Sequence, residues 1–272
     1  MLWDPASPSE PPRPYKTSVA VHHVPSMAMS PIEGGVFLTL PYEASTTARK
    51  KSLPTREEVL RAAISAKPQG MLVHFDYDTN RSTLIAKDLM WPTGVAVPFG
   101  EDVALVLEPM AYRVRKISLD GKHMGSSKPF MWNLPAFPCA VAPASHMQAE
   151  PDFWVALCGP HRHPLVSLMH SHPLLKNLLG WLPSFEYVST IFQIPTPSGH
   201  LMLVRVDKEA HIKEVLCDDD VDNGGIVPHV SFILQHANHL YVGGHGYPYL
   251  VMTNITKMPI HPRPQHLRDG EL

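Results

Sequence analysis

The stretch VAVPFGEDVALVLE, residues 95–108, decides the fold. Two apolar runs separated by a short polar turn are typical of a β-hairpin whose strands are buried on both faces. Three further stretches repeat this pattern: MAMSPIEGGVFLTL (27–40), VAPASHMQAEPDFWVALC (141–158) and SFILQHANHLYVGG (231–244). The chain is therefore predicted to contain a repeated inner hairpin.

A second kind of segment follows the first three inner hairpins. It alternates apolar and polar residues around an acidic or glycine turn, as in residues 72–89, 114–134 and 203–220. Such alternation predicts half-exposed outer hairpins. An inner hairpin followed by an outer one, at a period of about 40–50 residues, is typical of a four-stranded propeller blade. We therefore predict an all-β fold, a β-propeller with about four blades.

The amino-acid composition divides the chain into three segments. Residues 1–16 are rich in proline and predict a flexible N-terminus, residues 17–256 hold the propeller domain, and residues 257–272 form a polar C-terminal tail. Residues 55–66 begin with a capping-box pattern, and residues 165–182 carry apolar residues at helical spacing. Both segments predict short helical lid insertions between blades.

Charge and cysteine content limit the classes of partner and the cell compartment that are expected for this chain. With 23 basic and 25 acidic residues, the 272-residue chain shows no basic surface for nucleic acid or an anionic membrane. Three widely spaced cysteines predict separate buried thiols and neither a disulfide nor a zinc site. No apolar run near the N-terminus is long enough for a signal or anchor, so a cytoplasmic location is the default expectation.

Five stretches also carry a resemblance to a known family: residues 67–97, 111–121, 130–141, 153–183 and 239–244. In their order and spacing they resemble the strictosidine synthase-like six-bladed propellers, which include the adipocyte plasma-membrane-associated proteins. The resemblance implies a strictosidine synthase-like propeller that is shortened at its N-terminus. Relatives have about two more blades upstream and are often secretory or membrane-anchored, so membrane contact is expected only through an upstream anchor.

The resemblance also locates a channel site. Relatives have Asn at the middle of the Pro-x-Gly corner, where this chain has Thr93, and Asn-Asp where this chain has Ser26-Met27. They have Asp-Asn where this chain has Cys139-Ala140. In the metal-dependent members these residues hold calcium, which takes six to eight oxygen ligands. Because the replacements supply so few oxygens, we expect no calcium, no other metal and no cofactor here.

The catalytic glutamate of the plant synthases matches Gln235 in this chain. In those enzymes the carboxylate is the base for condensing an amine with an aldehyde, and proton abstraction needs an ionisable group. An amide cannot take that proton. The resemblance therefore implies a family member without the plant reaction.

Three functions remain open on this basis. The first is binding of a small, mostly apolar ligand or a protein partner at the channel mouth, which would be lined by Ser26, Thr93, Cys139, Ala140, Gln235 and His245. The second is an esterase-like or lactonase-like hydrolase that uses His245 or Cys139 as base or nucleophile. The third is an interaction scaffold whose open blade edges add strands from another chain.

Several other residues are expected to have structural roles. Arg113 and Arg115 share one face of a strand and are expected at an exposed edge. Asp76 and Asp78 are expected to shape a turn through hydrogen bonds to the backbone. Three tryptophans near the inner strands are predicted to form the core between blades: Trp91, Trp132 and Trp154.

Overall fold

The structure, a computed structural model, describes residues 24–30, 34–41, 67–98, 102–144, 152–158, 201–217, 230–244 and 249–255. Within these ranges the chain is all-β, and its only helical elements are the 3₁₀ turns Pro109–Ala111 and Gly121–His123. The strands form four antiparallel sheets in a propeller arrangement. The predicted fold class is confirmed.

Each sheet is one blade, and its strands are hydrogen-bonded to their neighbours in chain order. Blade 1 holds β1 (Ser26–Met29), β2 (Gly35–Leu40), β3 (Gly70–Asp76) and β4 (Arg81–Leu89). Blade 2 holds β5 (Gly94–Ala96), β6 (Val103–Glu108), β7 (Arg113–Ser118) and β8 (Ser127–Met131). Blade 3 holds β9 (Phe137–Pro143), β10 (Phe153–Cys158), β11 (Met202–Val206) and β12 (Ile212–Cys217). Blade 4 holds β13 (Val230–His236), β14 (His239–Gly244) and β15 (Val251–Asn254).

These strands match the predicted hairpins. The four inner hairpins are β1–β2, β5–β6, β9–β10 and β13–β14, and the three outer hairpins are β3–β4, β7–β8 and β11–β12. The two predicted helical lids, residues 55–66 and 165–182, lie outside the described residues. The ends of the predicted domain lie outside them as well, so its boundaries stay a prediction.

Apolar side chains between neighbouring blades form the core. Alternate residues of a strand point to opposite sheet faces, so one blade presents one apolar face to each neighbour. Blades 1 and 2 meet through a cluster that includes Leu72 and Val106. Blades 2 and 3 meet through Leu107 and Phe153, among others. Burying such side chains contributes about 1.5–3 kcal/mol each, which makes these contacts the main source of stability.

Blades 3 and 4 meet around Trp154, which is fully buried and packs in one cluster with Leu203, Ile233 and Val242. The prediction that Trp154 lies in the core between blades is confirmed. The same prediction is wrong for Trp132, which is 70% exposed. Trp132 directly follows β8, the outermost strand of its blade, where no neighbouring sheet covers the ring.

An acidic residue is also buried inside blade 3. The carboxylate of Asp152 lies 2.9 Å from Arg205 on β11 and 2.7 Å from Lys213 on β12. The hydrogen bond to Asp152 raises the pKa of Lys213. These pairs satisfy the buried carboxylate and join the second, third and fourth strands of the blade.

Two hairpin turns are shaped by aspartate side chains. Asp76 accepts hydrogen bonds from the backbone N–H of Asp78 and of Thr79, at 2.8 and 3.0 Å, so its expected role in the turn is confirmed. The bond from Thr79 is the largest cause that lowers the pKa of Asp76. Burial raises the pKa of Asp207, but hydrogen bonds from His211 and Glu209 have the larger effect, so the pKa is lowered.

Because both pKa values lie below 3.8 in the folded chain, these turns contribute stability above that pH. The contribution is lost as the pH falls through the folded-state pKa values. We therefore expect a double variant, Asp76→Asn with Asp207→Asn, to lose less stability than the wild type on acidification. Urea unfolding followed by circular dichroism between pH 7 and pH 3 checks this. The prediction would be contradicted if the wild type and the double variant lost the same free energy of unfolding between pH 7 and pH 3.

Candidate functional site

The Pro-x-Gly corner that precedes β5 is held in an unusual backbone conformation. Trp91 has a φ of 51°, in the left-handed region that few residues other than glycine adopt. A Cβ atom at Gly94 would lie only 2.5 Å from Cδ1 of Leu107. A side chain at Gly94 would therefore force the buried side chain of Leu107 to move.

Glu108, at the end of β6, stabilises this corner through hydrogen bonds. Its side chain is fully buried, and its carboxylate accepts hydrogen bonds from the backbone N–H of Met90 and from Nε of Arg113. Nε of Arg115 lies 3.3 Å from the same carboxylate, an ion pair without hydrogen-bond geometry. The backbone N–H of Thr93 donates to the carbonyl of Leu107 at 3.2 Å. The corner is thus tied to β6 at two successive residues.

The expectation that Arg113 and Arg115 lie at an exposed edge is wrong. Both are half-buried and both pair with Glu108, so they share one face of β7 as predicted but use it for an internal ion pair. The physical reason is the short turn Pro109–Ala111, which returns the chain so that Glu108 and Arg113 lie opposite each other on β6 and β7.

Glu108→Ala is expected to destabilise the fold by about 3 kcal/mol, because two half-buried guanidinium groups lose their carboxylate. Glu214→Ala is the control, since Glu214 forms a longer pair of 3.6 Å with Arg205 on the outer part of blade 3. Chemical denaturation at pH 7 measures both variants. Equal losses of stability in the two would contradict a special role for Glu108.

Ser26 and Thr93 lie together at one end of the inner strands. Oγ of Ser26, on the first residue of β1, accepts a hydrogen bond from the backbone N–H of Val95 at 3.3 Å. Oγ1 of Thr93 is buried and has no hydrogen-bond partner in the part of the chain that is described. The Ser26 hydroxyl therefore joins blade 1 to blade 2, and the Thr93 hydroxyl is left without a structural use.

Cys139 and Cys158 form a disulfide, so the prediction of separate buried thiols is wrong. Their Cα atoms lie 5.9 Å apart because β9 and β10 pair in antiparallel register with an irregularity beside Leu157. The third cysteine, Cys217, is exposed and is not part of a disulfide. While the disulfide is intact, Cys139 has no thiolate to act as a nucleophile.

The disulfide also bears on the compartment. Disulfides form and persist in oxidising environments and are rare in the cytosol. The location of this chain stays a prediction.

We expect peptide mass spectrometry without reductant to recover Cys139 and Cys158 in one linked species. Replacing both with serine should lower the free energy of unfolding by about 3 kcal/mol, because the bond closes a loop of moderate length in the unfolded chain. Cys217→Ser is the matched control and should leave stability unchanged. Unlinked peptides, or equal effects in both variants, would refute the bond.

Gln235 is held by two hydrogen bonds. Its Oε1 accepts from the indole Nε1 of Trp154 at 2.7 Å, and its Nε2 donates to the carbonyl of Ala237 at 3.2 Å. Both ends of the amide are therefore used inside the protein. The contact with Trp154 ties β13 to the apolar cluster between blades 3 and 4.

The predicted site residues are distributed along the inner strands. These strands run in the same direction in every blade of a propeller, so Ser26 and Thr93 lie at the end where the strands begin. Gln235 is the sixth residue of β13 and contacts Trp154, which pairs with Ala142 late in β9, so it lies nearer the opposite end.

The other predicted residues lie in the middle or outside the described residues. Cys139 and Ala140 are the third and fourth residues of β9, and Ala140 is buried against blade 4. His245 lies outside the described residues. The structure thus brings Ser26 and Thr93 together and places Gln235 apart from them. Their roles in ligand binding stay predictions.

The face of blade 1 that points away from blade 2 is buried at its centre, where Val36, Leu38 and Phe75 form an apolar cluster, and it exposes apolar side chains on its two edge strands. Met27 and Met29 on β1 are 65% and 66% exposed, and Leu84 on β4 is exposed on the same face. We call this surface, defined by Met27, Met29 and Leu84, end face 1. Ala28 points to the other side of β1 and packs against the cluster between blades 1 and 2.

The face of blade 4 that points away from blade 3 is apolar as well. Phe232 and Leu234 on β13 are 45% and 48% exposed, and Leu234 lies in one cross-strand row with Tyr241 and Met252. We call the surface of Phe232, Leu234, Tyr241 and Met252 end face 4. The sequence predicted that the strands of this hairpin are buried on both faces, and this is wrong for β13, whose outward face is exposed at Phe232 and Leu234.

Comparisons with known proteins agree with the fold. No family model matches the chain. The adipocyte plasma membrane-associated protein of Bos taurus is 27% identical over 198 residues, which is 72% of this chain and 45% of that protein. Strictosidine synthase-like 3 of Arabidopsis thaliana is 24% identical over 192 residues, which is 69% of this chain and 46% of that protein.

The chain is similar to the strictosidine synthase-like proteins. The matched region spans less than half the length of these curated relatives. A solved structure of a gluconolactonase from Xanthomonas campestris has a TM-score of 0.47 and 12% identity, covering 83% of this chain and 55% of that chain. Among the described residues, none forms a helix long and apolar enough to span a membrane.

The predicted channel residues of this chain do not suit calcium. Ser26 and Thr93 offer hydroxyl groups, Ala140 offers no side-chain oxygen, and the sulfur of Cys139 is bonded to Cys158. Calcium sites draw on carboxylates and carbonyl oxygens, and these positions supply no carboxylate. The absence of a channel metal stays a prediction that this set of donors supports.

One group outside the channel has the side chains of a metal site. Asp207, Glu209 and His211, in the turn of the outer hairpin β11–β12, have ligand atoms within 4.8 Å of one another. The Asp207 carboxylate already accepts from the backbone N–H groups of Glu209 and His211, and its other oxygen lies 3.1 Å from the His211 ring. These bonds account for the cluster as the framework of a turn.

Proposed function

We propose that this chain is a strictosidine synthase-like propeller protein that binds an apolar partner or ligand along its inner strands and lacks the plant condensation reaction. The observation that carries the proposal is the exposure of large apolar side chains on two inner strands, β1 and β13. Contiguous exposed apolar surfaces of this kind mark sites of interaction.

The proposed lack of the plant condensation reaction rests on Gln235. A general base must be ionisable and within hydrogen-bond reach of its proton. The Gln235 amide is too weak a base to accept a proton at neutral pH, and its oxygen accepts a hydrogen bond from the indole of Trp154. This position therefore supports a structural role for Gln235 and not the role of the plant glutamate.

The binding half rests on the two end faces and on the channel corner. End face 1 offers flexible methionines, and end face 4 offers an aromatic ring beside branched and unbranched aliphatic side chains. Such side chains form the buried centres of interfaces. The hydroxyl of Thr93, which has no hydrogen-bond partner among the described residues, is the one polar side-chain group that the corner contributes to the proposal.

The hydrolase alternative receives no support from the described residues. Cys139 is bonded to Cys158, and esterase or lactonase chemistry at that position would need the free thiolate. The scaffold alternative would use the same exposed strands as the proposal, because β1 and β13 belong to the first and last described blades.

A fluorescent dye that binds apolar surfaces, anilinonaphthalene sulfonate, tests the binding surface. We expect Leu234→Glu to reduce the dye signal of the folded chain by roughly half, because it places a charge in the centre of end face 4. Val215→Glu is the matched control, since Val215 is an exposed apolar residue on the outer strand β12.

Equal dye signals in the wild type, Leu234→Glu and Val215→Glu would contradict the proposed binding surface. Condensation of an amine with an aldehyde by the purified chain, abolished by Gln235→Ala, would contradict the catalytic half. Circular dichroism of each variant confirms that the dye reports on the folded protein.

A further inference from the structure

The ion pairs of blade 2 are unequal in charge. One carboxylate, that of Glu108, faces the guanidinium groups of Arg113 and Arg115. In the described part of the chain, no second carboxylate lies within ion-pair distance of either arginine. Because arginine stays protonated in proteins, two positive charges face one negative charge, and the three side chains together are cationic.

The N–H donors of these two arginines are used incompletely. A guanidinium presents several N–H donors in a rigid planar fork. Nε of Arg113 donates to Glu108, and this is the only hydrogen bond that either side chain makes within the described ranges. Nε of Arg115 is buried without a hydrogen-bond partner there. Most donors of both forks are therefore left without a protein partner among these residues.

The charged group inside blade 3 is balanced by comparison. Arg205 and Lys213 face Asp152 and Glu214, so two positive charges meet two negative charges. Nη2 of Arg205 lies 2.9 Å from Asp152, and Nη1 lies 3.6 Å from Glu214. The side chain of Arg205 is 20% exposed, and the two arginines of blade 2 are similar at 28% and 22%. The two groups thus differ in their acidic partners and not in their burial.

The arginine pair of blade 2 is accessible at a defined place in the fold. Glu108 is fully buried and closes the inner side of the group, whereas both arginine side chains reach the surface. Gly94 at the start of β5 pairs with Leu107 at the end of β6, and Glu108 pairs with Arg113 at the start of β7. The arginine pair therefore lies at the same end of the propeller as the Pro-x-Gly corner.

We propose that Arg113 and Arg115 form an anion-binding site for the carboxylate or phosphate group of a small ligand. Arginine forks match the paired oxygens of both groups, and hydrogen bonds between charged partners are stronger than neutral ones. A bound anion neutralises the excess charge and accepts from donors that Glu108 leaves unused. The site goes beyond the proposed function, because it lies on blade 2 and involves neither end face.

Titration calorimetry of the purified 272-residue chain with inorganic phosphate and with acetate, in low-salt buffer at pH 7, tests this. We expect at least one of the two anions to bind. Arg115→Gln should weaken that binding at least about tenfold, because one of the two forks is lost. Arg115→Lys should weaken it as well, since lysine keeps the charge but not the fork. Arg81→Gln is the matched control and should bind like the wild type, because Arg81 is an exposed arginine on β4.

Nitrogen-15 NMR of the arginine side chains locates the bound anion in the unmodified protein. We expect the Nε signals of Arg113 and Arg115 to shift and saturate as the anion is added. The Nε signals of Arg81 and Arg205 should stay unchanged. Because no residue is replaced, this result does not depend on the folding of a variant.

The inference is overturned if neither anion binds. It is also overturned if the wild type, Arg115→Gln and Arg81→Gln bind with equal affinity, or if all four arginine signals shift alike. Either result would show a general attraction of anions to the protein surface. Binding of phosphate alone would assign a phosphate group to the ligand and binding of acetate alone a carboxylate, and both results would support the site.

Discussion

The packing of apolar sheet faces between successive blades is the interaction on which the rest of the structure depends. Each blade is a small antiparallel sheet that cannot bury both of its faces alone. Three junctions supply the cover, and they contain nearly all of the largest buried side chains, from Leu72 and Leu107 to Trp154. The outward face of the last described blade stays exposed at Phe232, Leu234 and Met252.

This constraint also explains the state of the channel residues. Gln235 bonds to Trp154 and thereby joins blades 3 and 4, and Ser26 bonds to the backbone of Val95 and thereby joins blades 1 and 2. Cys139 lies in the disulfide beside the third junction. Two of the predicted site residues, Ser26 and Gln235, thus connect neighbouring blades, whereas the disulfide of Cys139 lies within blade 3.

Local patterns predicted much of this fold, because a hairpin such as residues 95–108 is encoded by its own apolar runs and turn. The alignment of Gln235 with the plant glutamate came from the resemblance. The contact of Gln235 with Trp154 could not be predicted, because 81 residues separate the two in sequence. The Cys139–Cys158 bond was missed because an irregular pairing of β9 with β10 sets their distance, and residue spacing does not reveal it.

The central claim is that apolar packing between blades holds the fold together and that end face 4 stays exposed. Amide hydrogen exchange of the unmodified protein, read by mass spectrometry, tests it most directly. The account predicts slow exchange in β6 and β10, which lie buried at the junctions, and faster exchange in β13, whose outward face is exposed. Exchange in β13 that is as slow as in β6 and β10 would contradict it.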